Sequence, residues 1–365
     1  MARHELWELK QMQSLPLPAK IQMTRYRIRQ WVDEFGEDGV YVSFSGGKDS
    51  TVLLDIVRKD YPDIEAVFVN TGLEYPSVSR FATGKENVTA LRPTMGFRDV
   101  ICKYGYPVIS KEVALKVKET RKCPNGYASK SFNGERENTA YDYSSYSYLL
   151  NSPFSISDMC CNVMKKAPIK KYEKSKNSVG ITAQMAGESK ARLTEWLQNG
   201  CNAFDKKRPI SNPMSFWTEN DVLQYIHENN LPIAEAYGEV IVKNDGIEGQ
   251  INIHDYLGDY RDCQYVTTGC KRTGCIFCMF GITQDKDRFI RLAQQEPKLC
   301  DYVMRGGEFN EQGMWQPSKS GLGYWFVIEW LNVHGNLKIG MPDREKYLSE
   351  YQTEETRKYL IKEVV

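Results

Sequence analysis

A chain of 365 residues holds one large domain and a second about half its size, at about 100 to 200 residues per domain. Hydrophobic residues at 41% and charged residues at 26% are ordinary for a globular protein with a real core, which excludes a disordered chain. Lysine plus arginine (48) nearly cancels aspartate plus glutamate (47), so no global field draws the protein to nucleic acid or acidic lipid, and any basic surface must be local.

Taken in chain order, residues 1–38 read as an N-terminal helical segment. Its apolar positions Ile21, Tyr26, Ile28, Trp31, Val32 and Phe35 fall at helical spacing and stop at Gly36. Val40–Phe44 is β-branched and aromatic, runs straight into Ser45-Gly46-Gly47, and is followed by an apolar helix over Thr51–Val57. A second buried strand, Ile64–Val69, follows the Tyr61-Pro62 breaker and completes a strand-helix-strand unit of a parallel sheet. Asn70-Thr71-Gly72 then falls at that strand's carboxyl end, where open α/β sheets bind ligands.

Pro107–Ile109 reads as a third strand and Val179–Thr182 as a fourth. Between them residues 123–157, rich in Ser, Tyr, Asn and Gly, read as an insertion or mobile segment. Trp217–Asn230 is a helix capped by Thr218. Past Tyr237 the pattern breaks into short segments with glycines and clustered cysteines. The expected division is therefore a domain over 39–240 and a cysteine-containing C-terminal region over 241–365, ending in a charged helix from about 340. The predicted fold class is α/β: a Rossmann-like parallel sheet with helices on both faces.

The first twenty residues contain no apolar core of signal-peptide length, and stretches such as Trp325–Ile328 fall far short of the roughly 20 residues that span a bilayer. The expectation is a cytoplasmic protein without a membrane partner. Ten cysteines there stay reduced, so clustered ones point to metal or catalysis, while isolated Cys102 and Cys123 read as buried small hydrophobes.

The segment Ser45-Gly46-Gly47-Lys48-Asp49-Ser50 carries the sharpest signal. Backbone N–H groups of a glycine turn leading into a helix form a concave donor surface for phosphate. Gly46 and Gly47 permit close approach, Ser45 and Ser50 add hydroxyls, and Lys48 adds charge. The spacing is not that of a Walker loop, which excludes a GTPase-like reading. A plain glycine turn capped by Asp49 or Ser50 is the bland alternative.

Cys160-Cys161 and the later Cys275-Ile276-Phe277-Cys278 supply four thiolates, a set that suits a 4Fe-4S cluster or a zinc ion. An adjacent pair strains a single tetrahedral zinc and suits separate irons of a cluster better. Unliganded thiols are the remaining reading. Lys165, Lys166, Lys170, Lys171, Lys174 and Lys176 surround one acid, Glu173: either a solvated helix face or a contact for a nucleic acid backbone. The four histidines are scattered, and His254 reads as structural.

The whole Ser45–Ser50 segment resembles the signature of the PP-loop ATP pyrophosphatases and of their relatives, the phosphoadenosine phosphosulfate (PAPS) and adenosine phosphosulfate (APS) reductases. Cys160-Cys161-Asn162-Val163-Met164-Lys165-Lys166-Ala167-Pro168 looks like the Cys-Cys-x-x-x-Lys-x-x-Pro run of cluster-bearing APS reductases, whose other ligands come from a later C-x-x-C. Glu188-Ser189-Lys190-Ala191-Arg192 resembles their Glu-Ser-x-x-Arg, Asn70-Thr71-Gly72 their Asp-Thr-Gly, and Asn212-Pro213 to Pro232 their later landmarks. The likeness covers about residues 20 to 290.

The resemblance implies a nucleotide site of Ser45, Gly46, Gly47, Lys48, Asp49, Ser50, Asn70, Thr71, Gly72, Lys165, Glu188 and Ser189, with Lys48, Asp49 and Arg192 in catalysis. It also implies ATP, Mg2+ placed by Asp49, and a 4Fe-4S cluster on Cys160, Cys161, Cys275 and Cys278. Two departures stand out. Met185 occupies the place of a family arginine, and the nucleophilic cysteine that the reductases carry near their C-terminus has no match after Cys300. Cys300 or Cys270 would have to be recruited; Cys270, five residues before Cys275, is also a candidate fifth thiol near the cluster, with Cys263 a weaker one, and buried structural thiols are the bland alternative for both. Relatives that activate a target with ATP and insert sulfur, such as the DNA phosphorothioation sulfurtransferases and tRNA thiolation enzymes, need no such cysteine. The expected activity is therefore adenylation with release of pyrophosphate, supporting sulfur transfer to an acceptor such as tRNA or DNA. The sulfur comes from a cysteine desulfurase, or a thiol reductant takes part. APS/PAPS reduction to sulfite and a non-catalytic nucleotide-sensing subunit are the alternatives.

Overall fold

The computed structural model describes residues 3–135, 141–243 and 264–361. Cys263 and His254 lie outside them. The chain packs into two compact units, each assembled from two stretches of sequence: Met1–Arg92 with Pro168–Cys275, and Pro93–Ala167 with Ile276–Val365. Packing thus groups residues across the segmentation read at 38 and 240, because strands distant in sequence share one sheet.

In the first unit a six-stranded sheet runs in the order Val88–Leu91, Ala66–Val69, Val40–Ser43, Val179–Ile181, Ile210–Ser211, Asn202–Ala203. All neighbours are parallel except the last pair. Val42 is opposite Ala66 on one side and Ile181 on the other, which makes Val40–Ser43 central. The α/β parallel-sheet class expected from the sequence is the class observed.

Helices cover this sheet because each presents an apolar stripe to it. The helix Leu17–Phe35 buries Ile28, Trp31 and Val32 and stops at Gly36, whose φ of +74° favours glycine. The helix Lys48–Asp60 buries Val52, Leu53, Ile56 and Val57. The helix Glu219–Glu228 starts from a capping box, in which Thr218 Oγ1 receives the Asp221 N–H and Asp221 receives the Thr218 N–H at 2.6 Å. Asp221 also accepts both short contacts from the buried Lys20 ammonium, 2.7 Å each, fastening this helix to Leu17–Phe35.

In the second unit the helix Tyr324–Gly335 is buried from Tyr324 through Leu331, and Phe154, Trp315, Trp325 and Trp330 pack edge-on in neighbouring pairs. Arg121 donates to the carbonyls of Leu149, Leu150, Ser152 and Phe154, so a single guanidinium gathers the segment read as an insertion. Gly105, with φ +110°, is obligatory: a Cβ there would lie 2.4 Å from the Ser155 backbone.

Three sequence readings are corrected. Val108–Ile109 is a strand, but it pairs with Met279–Phe280 in a separate two-stranded sheet. The sheet's third strand is Val88–Leu91, whose half-exposed residues carry little apolar signal. Cys102 and Cys123 are exposed rather than buried. The charged tail forms two helices, Arg344–Tyr351 and Glu354–Leu360. No helix among the described residues is long and apolar enough to cross a membrane.

Candidate functional site

The glycine loop leaves the carboxyl end of the central strand Val40–Ser43 and enters the helix that begins at Lys48. Gly46 takes φ +72°, and a Cβ on it would lie 2.9 Å from Val78 Cγ1 and 3.1 Å from Ala82 Cβ, so the loop is pressed onto the helix Pro76–Thr83. Its donors are held in a tight network. The Ser45 N–H donates to Ser50 Oγ (3.1 Å), the Gly47 N–H to Ser45 Oγ (3.2 Å), and the two serine hydroxyls lie 3.0 Å apart. Ser50 Oγ and Thr51 Oγ1 both donate back to the Gly47 carbonyl.

Lys48 is only 3% exposed. Its ammonium lies 3.2 Å from Asp49 Oδ1 and 3.4 Å from Glu219 Oε1. Burial pulls its pKa down, but Asp49, Tyr237 and Glu219 outweigh that, and the value is raised. The Lys48 backbone N–H donates to Tyr237 Oη at 3.2 Å, and that hydroxyl lies 2.6 Å from Thr273 Oγ1. Burial raises the Tyr237 pKa, so the group is a neutral hydroxyl at pH 7.

Asp49 Oδ1 is buried and, despite the nearby ammonium, receives no well-directed hydrogen bond. A carboxylate oxygen is the kind of hard ligand Mg2+ takes, which is the property that a Mg2+ role for Asp49 requires.

Arg192 sits in the first turn of the helix Lys190–Asn199, which Ser189 caps by accepting the Arg192 N–H at 3.3 Å. Its guanidinium is ion-paired with Glu188, whose carboxylate also accepts the Met185 N–H at 3.1 Å. Burial and then Arg272 lower the Arg192 pKa, while Asp49 opposes them. Arg192 thus lies within the electrostatic reach of Asp49, the carboxylate beside Lys48. Glu188 pairs with the Arg192 guanidinium and Ser189 caps its helix, so both position Arg192.

Asn70, Thr71 and Gly72 follow the strand Ala66–Val69. Thr71 is buried, its N–H and hydroxyl both committed to Glu74 at 2.8 to 3.1 Å, and Gly72 turns at φ +72° with its N–H on Asn70 Oδ1. Lys165 belongs to a π turn over Asn162–Lys166 in the second unit. The π turn has a cause: Pro168 lacks an N–H and crowds the carbonyl four residues back, so the ladder is interrupted there.

Cys160 is buried and Cys161, Cys275 and Cys278 are half-buried. Among the described residues no three of His, Cys, Asp and Glu are grouped so as to hold a metal ion. Ligation of a 4Fe-4S cluster needs four thiolates around one inorganic core, and Cys160, Cys161 and Cys278 belong to the second unit while Cys275 belongs to the first. Cys300 is 1% exposed, its thiol donates to the Phe289 carbonyl at 3.5 Å, and burial pushes its pKa up to about 12. That removes it as a ready nucleophile.

Sequence reasoning missed Tyr237, Glu219, Thr273 and Glu74. Glu74 lies three residues beyond Thr71 in Thr71-Gly72-Leu73-Glu74, a spacing that allows a carboxylate to bond back to the turn. The others meet the loop only through the fold.

The phosphoadenosine phosphosulfate reductase domain family matches residues 39–99 and 108–279, more than half of the chain, and the protein belongs to that family. It is 24% identical over 239 residues to an adenosine 5'-phosphosulfate reductase of Geobacillus kaustophilus, covering 64% of this chain and 81% of that one. It is likewise 24% identical to an adenosine 5'-phosphosulfate reductase of Staphylococcus epidermidis, covering 59% and 71%. These relatives are enzymes, as is this member of their family. A crystal structure of the phosphoadenylyl-sulfate (PAPS) reductase of Candida auris in a phosphate complex aligns with TM-score 0.35 and 15% identity, covering 58% of this chain and 82% of that one.

Proposed function

We propose that the protein binds ATP on the loop Ser45–Ser50 and transfers its adenylyl group to an acceptor with release of pyrophosphate, preparing that acceptor for sulfur. The observation that carries this reading is the buried Lys48 ammonium beside Asp49, at the mouth of a glycine loop on the central strand. In this reading Ser45, Gly46, Gly47 and Ser50 cradle the phosphates, and Asn70, Thr71 and Gly72 line the nucleoside. Lys48 and Arg192 offset developing charge, with Glu188 and Ser189 orienting Arg192. Lys165 is assigned to the nucleotide on its match to the family's Cys-Cys-x-x-x-Lys-x-x-Pro run alone.

An acceptor oxygen attacks the α-phosphorus, the bond to the bridging oxygen breaks, and the electron pair leaves with pyrophosphate. Fixed N–H donors and cations stabilise that leaving charge at no reorganisation cost, which is where such sites gain most of their rate. Mg2+ held by Asp49 would offset further phosphate charge when bound. A cysteine desulfurase then supplies a persulfide whose terminal sulfur displaces AMP from the activated acceptor, a tRNA or DNA, and a thiol reductant cleaves the resulting disulfide, supplying the two electrons that leave the sulfur on the acceptor. The cysteine spacing supports a 4Fe-4S cluster on Cys160, Cys161, Cys275 and Cys278, to be sought by iron and sulfide analysis of anaerobic protein. No step here runs through it.

Reduction of APS or PAPS to sulfite is the second reading, favoured by the names of the relatives. It requires a thiol nucleophile, and the burial of Cys300 weighs against it. One anaerobic experiment separates the two: ATP with tRNA or DNA, and APS or PAPS with thioredoxin, assayed in parallel for pyrophosphate and sulfite. Pyrophosphate from ATP is the expected result, and sulfite alone overturns it.

A further inference from the structure

Two basic segments far apart in sequence are joined in the first unit. In the helix Ala167–Lys176 the carboxylate of Glu173 accepts Arg208 Nη2 at 2.7 Å and Arg208 Nε at 3.0 Å, and also the Tyr41 hydroxyl at 2.8 Å. This clamp draws the loop 205–208 to the helix and uses up the helix's one acid. The loop's own acid, Asp205, is paired with Arg3 at 3.6 Å. What is left is Lys170, Lys171, Lys174, Lys176, Lys206 and Lys207, all exposed and without an ion-pair partner among the described residues. On a protein of net charge +1 such a local surplus is not a consequence of composition.

The same loop leads into an aromatic cavity. Phe204, two residues before Lys206 and so within about 7 Å of it along the backbone, lines a cavity of about 420 Å3 with His4, Trp7, Arg27, Gln30 and Trp196. Trp7 is 60% exposed, and the buried indole N–H of Trp196 has no hydrogen-bond acceptor. Arg27 and Gln30, bonded at 3.1 Å, supply polar edges on one wall. An exposed indole face, an unused donor and a row of unpaired cations make up the two halves of single-stranded nucleic acid recognition: stacking for a base and charge for its backbone. A duplex satisfies only the second half, because its bases are already stacked and paired.

We infer that this surface binds single-stranded nucleic acid, its phosphates along Lys170, Lys171, Lys174, Lys206 and Lys207, and one unstacked base in the cavity against Trp7. The inference rests on the sulfur-transfer reading only for what the bound strand is for. Binding itself involves none of the residues assigned to the nucleotide.

The test uses the full chain and labelled oligonucleotides of about 15 nucleotides, a length matched to such sites, as single-stranded RNA, single-stranded DNA, their duplexes and an abasic strand. Anisotropy is read from about 50 to 200 mM salt. Single strands are expected to bind at least about tenfold more tightly than duplexes, with the better of the RNA and DNA arms naming the source. Trp7→Ala should weaken single-strand binding about tenfold at every salt concentration, as the abasic strand does. The pair Lys206→Gln and Lys207→Gln should weaken it and flatten the salt slope by about one to two. ATP-induced thermal stabilisation should be unchanged in both variants. Equal binding of duplex, abasic and intact strands with an inert Trp7→Ala, or displacement by polyglutamate of matched charge as readily as by RNA, overturns the inference. So does no binding at low salt by protein that still binds ATP. Strand binding without ATP binding upholds it and sinks the nucleotide reading instead.

Discussion

The hydroxyl of Tyr237 receives the backbone N–H of Lys48 at 3.2 Å, in the first turn of a helix whose amides would otherwise face a phosphate. A phosphate oxygen and a tyrosine oxygen are alternative acceptors for that donor. Tyr237→Phe should therefore lower the stability of the nucleotide-free protein by about 1 kcal/mol, the net worth of one hydrogen bond. Saturating ATP should restore most of the loss. Thermal unfolding with and without nucleotide checks this: an equal deficit in both conditions would mean that no phosphate reaches the amide.

Lys48→Ala removes the ammonium and leaves Asp49 and Glu219 facing a bound polyanion. A hydrogen bond to a charged group is worth about 1.5 to 3 kcal/mol, so ATP affinity should fall roughly 10- to 100-fold. Titration calorimetry reads it directly. The pH profile carries a sign. Because the Lys48 pKa is raised above 10.5, the ammonium persists in the folded protein past the ordinary amine range. Its contribution to stability and phosphate binding is full below that value and is lost only as pH rises through the higher folded value. ATP affinity should accordingly show no decline from Lys48 on the alkaline side of neutrality until the fold itself is challenged.

Lys20→Met should cost about 3 to 5 kcal/mol, because it strands the Asp221 carboxylate in the interior. That carboxylate also caps the helix Glu219–Glu228, which brings Glu219 to Lys48. Urea denaturation should show the loss, and a change under about 1 kcal/mol would mean that water reaches the pair.

Thiol reactivity should divide the cysteines. With its pKa at about 12, Cys300 is thiolate in only roughly one part in ten thousand at pH 8, and it is also enclosed. Iodoacetamide on native protein should leave Cys300 unmodified while labelling exposed Cys123, as peptide mapping would reveal. Rapid labelling of Cys300 would return it to candidacy as a nucleophile.

The loop and its flanking strands were legible in the sequence because they are local: a β-rich run, two glycines and an apolar helix leave one arrangement. Thr218 and Asp221 announced their helix for the same reason. Val88–Leu91 escaped notice because it carries neither alternation nor a buried run. Tyr237 and Glu219 were hidden because nothing near them in the chain marks them; only the packing of the helix Glu219–Glu228 and of the turn Glu235–Tyr237 beside the loop gives them a role. Val108–Ile109 has the β-rich composition of a sheet strand, and composition says nothing about which partner it will find.

Val40 is hydrogen-bonded into the sheet beside Val179, with the whole segment Pro93–Ala167 emerging between them during synthesis. At about 5 to 20 residues per second, the loop after Val40 waits many seconds on the ribosome before the neighbour that flanks its strand exists. A translation product cut short before Val179 would carry every residue of the Ser45–Ser50 loop and still expose an open strand edge, a substrate for chaperones and proteases.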